Sequence, residues 1–168
     1  QLQTLEYNVD VEVFAEGLEI PWAVAFAGDN QVLVTERPGQ LRVIDNGELQ
    51  APVQGTPEVL HEGQGGLLDV AVDPEYNQNG WVYLSFSHAL DDGSDKPGAM
   101  TKIVRGKIEN NQWTNEEVVF EAPHELYRTT RHHYGDRIVF DSEGHLYFSI
   151  GDRGAQDQAK EITRPNGN

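Results

Sequence analysis

The feature that most constrains this chain is a recurring pattern of short apolar strands, each with period-two alternation and each closed by turn residues. It appears in Val32-Leu33-Val34-Thr35, Leu41-Arg42-Val43-Ile44, Val82-Tyr83-Leu84-Ser85-Phe86, Ile103 to Ile108, Val118-Val119-Phe120 and Leu146 to Ile150. β-Branched and aromatic residues fit a pleated, half-buried surface, and Gly, Asn, Asp and Pro at the ends interrupt it. Asp45-Asn46-Gly47 and Glu109-Asn110-Asn111 read as hairpin turns, because Asn and Gly accept the positive φ of a tight two-residue turn. No stretch carries sustained helical periodicity, so the expected fold class is all-β.

A weak internal repeat narrows this further. Ala25 to Arg37 aligns with Val139 to Gly151, and Ala71-Val72-Asp73-Pro74 followed by Gly80 to Phe86 is a third copy with a longer turn. Each copy is an apolar strand, a turn containing Asp, and a second strand ending in Ser or Thr. From Phe26 to Val72 to Phe140 the offsets are 46 and 68 residues. A four-stranded unit of about 40–50 residues is a propeller blade, and the longer offset predicts an insertion around Ala89 to Met100. An ordinary β-sandwich is the alternative. At this unit size the 168 residues supply three to four blades, whereas propellers close with about four to eight. An unclosed ring leaves raw strand edges. Residues 1–168 are therefore expected to form one partial propeller domain whose remainder lies outside this chain. The final stretch, Glu161 to Asn168, reads as a turn with no strand after it.

Charge and composition remove several function classes. Twelve Lys and Arg stand against 28 Asp and Glu, a formal charge of −16, so nonspecific phosphate binding is disfavoured and no nucleic-acid partner is expected. No apolar run approaches the length of a membrane span. There is no Cys, which excludes disulfides, thiolate chemistry and thiolate-bound metal. The acidic loop Asp91-Asp92-Gly93-Ser94-Asp95 offers oxygen ligands suited to calcium but lacks the closing Glu of an EF-hand, and reads as a solvated loop.

Three places could carry chemistry. Gly63-Gln64-Gly65-Gly66 allows either a bare turn or close approach of the backbone to another group, with the Gln64 amide free to enter a cavity. Arg131-His132-His133-Tyr134-Gly135-Asp136-Arg137 precedes an apolar strand. Adjacent His residues on extended chain face opposite sides and cannot easily grip one metal, so no metal ligands are assigned. A single His at a strand entry is suited to general-base work, since its ordinary pKa lies near neutrality; two solvated loop histidines are the alternative. Ser149-Ile150-Gly151-Asp152-Arg153-Gly154 ends the strand that pairs with Ile138-Val139-Phe140. In a hairpin the start of one strand lies beside the end of the next, so His133 and Asp152 are expected to meet across 19 residues of sequence. A carboxylate beside an imidazole fixes its tautomer. Asp152 could instead cap a turn or pair with Arg153 or Arg137.

Five segments in order, Gly17 to Phe26, Val34 to Gly39, Gly63 to Ala71, His133 to Arg137 and Ile150-Gly151-Asp152, resemble the soluble PQQ-dependent sugar dehydrogenases, the glucose/sorbosone dehydrogenase family, and within it the aldose sugar dehydrogenase branch. The resemblance runs from about Val11 to the end of the chain. It implies a six-bladed propeller with PQQ in its central mouth and calcium beneath the quinone. It further implies a sugar substrate, an electron acceptor, and a periplasmic or secreted location. Carried over by position, His133 is the base that takes the proton of the anomeric hydroxyl, Asp152 orients the imidazole, and Gln64 hydrogen-bonds at the shared edge of sugar and quinone, so that His133 and Gln64 both border the cofactor. The glycines around Gln64 would then admit a flat cofactor.

The implied reaction passes a hydride from the anomeric carbon to the quinone and leaves a lactone. His132 and Asp136 depart from the family pattern, and a charged Asp136 three residues from His133 would favour the imidazolium. The family's Arg and Lys contacts to PQQ and its calcium ligands fall beyond Asn168, so the chain reads as about half of the enzyme and inactive alone. A non-catalytic propeller that binds sugar or protein, and a calcium-dependent lactonase-type propeller, are the competing functions.

Overall fold

The computed structural model describes residues 2–161 and Thr163. Part of the terminal segment expected to form a turn, Ile162 and residues 164–168, lies outside them. A small hairpin, β1 (Leu2–Gln3) and β2 (Asn8–Val9), opens the chain. β3 (Pro21–Ala27), β4 (Gln31–Glu36), β5 (Gln40–Asp45) and β6 (Glu48–Leu49) then form one antiparallel four-stranded sheet in sequence order. β7 (Leu67–Val72), β8 (Val82–Ala89), β9 (Ala99–Glu109) and β10 (Gln112–Glu121) form a second, with the single-turn helix α1 (Tyr76–Asn79) between β7 and β8. β11 (Ile138–Phe140) and β12 (Leu146–Phe148) pair as the start of a third. Four-stranded meanders repeated side by side are propeller blades. β3–β4, β7–β8 and β11–β12 are the three copies of the sequence repeat.

Local chemistry sets these elements. The β5–β6 turn holds Asn46 and Gly47 at φ 50° and 83°, and the β9–β10 turn holds Asn110 and Asn111 at φ 51° and 61°. Two successive positive φ values make the turn whose twist matches flanking strands. Gly106 on β9 lets the Trp113 ring of β10 lie flat across it, since a Cβ there would come within 2.5 Å of the ring. The loop between β8 and β9, residues 90–98, falls where the insertion was expected.

The blades join through apolar faces. Ala23, Ala25 and Ala27 of β3, with Leu33, Leu41 and Val43, pack on Leu67, Val70, Val82, Leu84 and Phe86 of the second blade. On the far side of that blade Tyr83, Ile103 and Phe120 pack on Ile138, Phe140, Leu146 and Phe148. The small Ala residues let the innermost strands approach closely. The outward residues of β3, Trp22, Val24 and Phe26, are exposed, as are Val139 and Tyr147 of the third blade. No helix among the described residues is long and apolar enough to cross a membrane.

Candidate functional site

Register places the site. Ile138 pairs with Phe148, so the chain entering β11 lies beside the chain leaving β12. Continuing that ladder outward brings His133 against the Asp152 segment. Their side chains meet, with His133 Nδ1 at 2.7 Å from Asp152 Oδ1. Asp152 Oδ1 also accepts the Gly154 backbone N–H at 2.9 Å. These two bonds, the backbone one first, hold the Asp152 carboxyl below its usual pKa. An ionised carboxylate only accepts hydrogen bonds, so Nδ1 carries a proton and, in the neutral imidazole, the lone pair lies on Nε2. The imidazole is 46% exposed while Asp152 is 17% exposed: the pair has a sheltered anchor and an open working end.

Gln64 arrives from the other blade. Its Oε1 accepts the His133 backbone N–H at 2.8 Å, and its own N–H donates to the Arg131 carbonyl at 2.8 Å. Gln64 thus grips the loop that carries His133, and its Nε2 donors have no partner among the described residues. The glycines beside it serve the same junction. A Cβ on Gly63 would fall 2.4 Å from the Arg131 carbonyl oxygen, one on Gly65 2.6 Å from that of Leu60, and one on Gly66 2.0 Å from that of Arg37. These glycines thus make close approaches to protein backbone.

One expectation is corrected. His133 has φ 58°, so the chain is not extended there, and the His132 and His133 rings lie with centroids 4.4 Å apart instead of on opposite sides. Among the described residues no group of three or more His, Cys, Asp or Glu is placed to hold a metal. Asp136, expected to act on His133 as a negative charge, has both carboxylate oxygens buried, with the Ser85 hydroxyl beside them. Burial pushes its pKa up to about 7. The nearby Ser85 hydroxyl opposes that rise, the Asp69 carboxylate adds to it, and the Arg137 guanidinium opposes it.

Sequence reasoning missed the residues that support the pair. Asp69 on β7 is buried and accepts from Arg137 Nη1 at 2.8 Å and from the Ile138 N–H at 2.6 Å, fixing the start of β11. Gly151 lies so close to His133 that a Cβ would meet its carbonyl oxygen at 2.0 Å. Arg153 is 1% exposed and reaches the carbonyls of the His133 loop. The single sequence signal for Arg153 was its place between Asp152 and Gly154.

Comparison with known proteins identifies relatives of the chain. A family model described as Glucose / Sorbosone dehydrogenase matches residues 18–168. The aldose sugar dehydrogenase YliI of Escherichia coli K12 is 37% identical over 162 residues, which is 95% of this chain and 43% of that protein. The apo crystal structure of the soluble E. coli aldose sugar dehydrogenase superposes with a TM-score of 0.82 at 36% identity, covering 94% of this chain and 45% of that one. The PQQ-bound aldose sugar dehydrogenase of Streptomyces coelicolor superposes with a TM-score of 0.78 at 25% identity, again over 94% and 45%. The chain thus spans somewhat under half the length of these relatives.

Proposed function

The chain belongs to the glucose/sorbosone dehydrogenase family, and from that premise we propose that it supplies the base side of an aldose-oxidising site that works with PQQ. The observation that carries the proposal is the 2.7 Å contact between His133 Nδ1 and Asp152 Oδ1, which leaves Nε2 basic and open. In this reading His133 Nε2 takes the proton of the anomeric hydroxyl. Asp152 holds the ring in the Nδ1–H tautomer and stabilises the imidazolium that forms. Gln64 Nε2, on the same loop junction, donates to an oxygen of the bound sugar or of the quinone.

An exposed imidazole and an amide donor on one rim fit the edge of a planar, oxygen-rich cofactor. Bound along the His133–Gln64 rim, PQQ would supply the acceptor for the hydride of the anomeric carbon, with the sugar oxidised to a lactone. The described residues do not fit calcium, and no step is assigned to that ion here. The exposed apolar faces of β3 and of the β11–β12 hairpin support a ring completed by further blades, six in all. The fragment alone is accordingly inactive. The same reading places the whole protein in the periplasm or outside the cell, passing electrons to a separate acceptor.

The test is aldose oxidation by the complete protein with added PQQ and a dye acceptor. His133→Ala should abolish nearly all turnover with the far-UV circular dichroism unchanged. Sugar oxidation that survived His133→Ala would remove the base from this role.

A further inference from the structure

Arg153 is the largest fully buried side chain of the described residues, and no carboxylate pairs with it. Burying a cation is costly unless its donors are satisfied, and an apolar side chain of similar size would sit there at lower cost. What the guanidinium does instead is bind backbone. Nη1 donates to the His132 carbonyl, and Nη2 donates to the Thr130 carbonyl at 2.7 Å and to the Ala99 carbonyl at 3.3 Å. The Thr130 hydroxyl returns the contact, donating to the Arg153 carbonyl at 2.8 Å. The guanidinium carbon also lies 3.5 Å from the centroid of the Tyr134 ring. The planar fork therefore touches residues 130, 132 and 134 on both sides of His133, while its own backbone follows Asp152 directly.

We propose that Arg153 is the positioning residue of the His133–Asp152 pair, a buried guanidinium that ties the carbonyls of the 130–132 loop to the segment carrying Asp152 and so sets the imidazole–carboxylate separation. The chemistry suits arginine alone. Two nitrogens diverging from one plane reach two carbonyls of one loop, whereas the single ammonium of Lys cannot span both. The part of the proposal that concerns catalysis rests on His133 being the base; the geometric part does not.

The experiment uses ¹⁵N-labelled protein and reads the imidazole Nδ1–H resonances. The His133 signal is assigned by its loss in His133→Ala. His145, whose Nδ1 lies 3.0 Å from Asp141, is a second imidazole–carboxylate pair far from the clamp and serves as control. Arg153→Met and Arg153→Lys should shift or broaden the His133 signal and leave that of His145 in place. General destabilisation would move both. Thr130→Val cuts the clamp from its other side without touching the guanidinium and should shift His133 in the same direction, which covers the case that Arg153→Met does not fold. In the PQQ-loaded protein Arg153→Lys should lower kcat by about 100-fold, the scale of a base displaced by about 1 Å, with KM little changed.

An unshifted His133 signal in both Arg153→Lys and Thr130→Val overturns the proposal. A shifted signal together with an active His133→Ala variant would keep the positioning role and remove the base.

Discussion

Asp136→Asn isolates one buried charge. In the folded protein burial lifts the Asp136 pKa to about 7, against an ordinary value of 3.8. The folded state therefore holds a proton that the unfolded state has lost. Stability linked to this group is fully present below about pH 4, falls as pH rises, and is gone above about pH 7. A difference of about three units is worth at most about 4 kcal/mol. Asn has the same shape and no charge, so it removes this loss. The Asn amide oxygen can still face the Ser85 hydroxyl, so the substitution removes the charge and little else. The assay is urea unfolding, followed by tryptophan fluorescence, of both proteins across that pH range. The two should be similar in stability near the acid end. Asp136→Asn should become the more stable as pH rises, by up to about 4 kcal/mol at the alkaline end. Parallel pH–stability curves would show that the carboxyl is solvated and ionised in the folded state, and would refute the reasoning.

Other substitutions probe the supports of the site. Gly151→Ala puts a methyl against the His133 carbonyl and should cost on the order of 1–3 kcal/mol in urea unfolding while displacing the His133 imidazole resonance. Asp69→Ala strands the buried Ile138 N–H and frees Arg137; a loss of about 2–4 kcal/mol is expected, read by the same unfolding assay, with loss of amide-exchange protection at Ile138. Gly47→Ala has open space for its methyl but must keep φ 83°, so it should cost about 1–2 kcal/mol and leave the His133 resonance unmoved.

What could be read from the sequence was local or hairpin-bound. Asn46-Gly47 and Asn110-Asn111 announce their turns because few residues tolerate two successive positive φ values. The meeting of His133 and Asp152 followed from a two-stranded hairpin, whose register carries a contact outward from Ile138 and Phe148. The features the sequence did not show depend on contacts between blades or on a single dihedral. Gly63 faces Arg131 and Gly66 faces Arg37, partners that spacing does not reveal. Asp69 reaches Ile138 across 69 residues. One positive φ at His133 turned two rings to the same side. Arg153 entered the sequence reading only as a possible partner of Asp152, because its carbonyl partners are backbone atoms that leave no mark on sequence.

The central claim is that the imidazole held by Asp152 removes the sugar's proton as the hydride leaves. Single-turnover mixing of the PQQ-loaded complete protein with an aldose, without any electron acceptor, isolates that step. The rate of cofactor reduction should fall by about 10²–10⁴-fold in His133→Ala and strongly in Asp152→Asn, with sugar still bound. Reduction at the wild-type rate in His133→Ala would contradict the account.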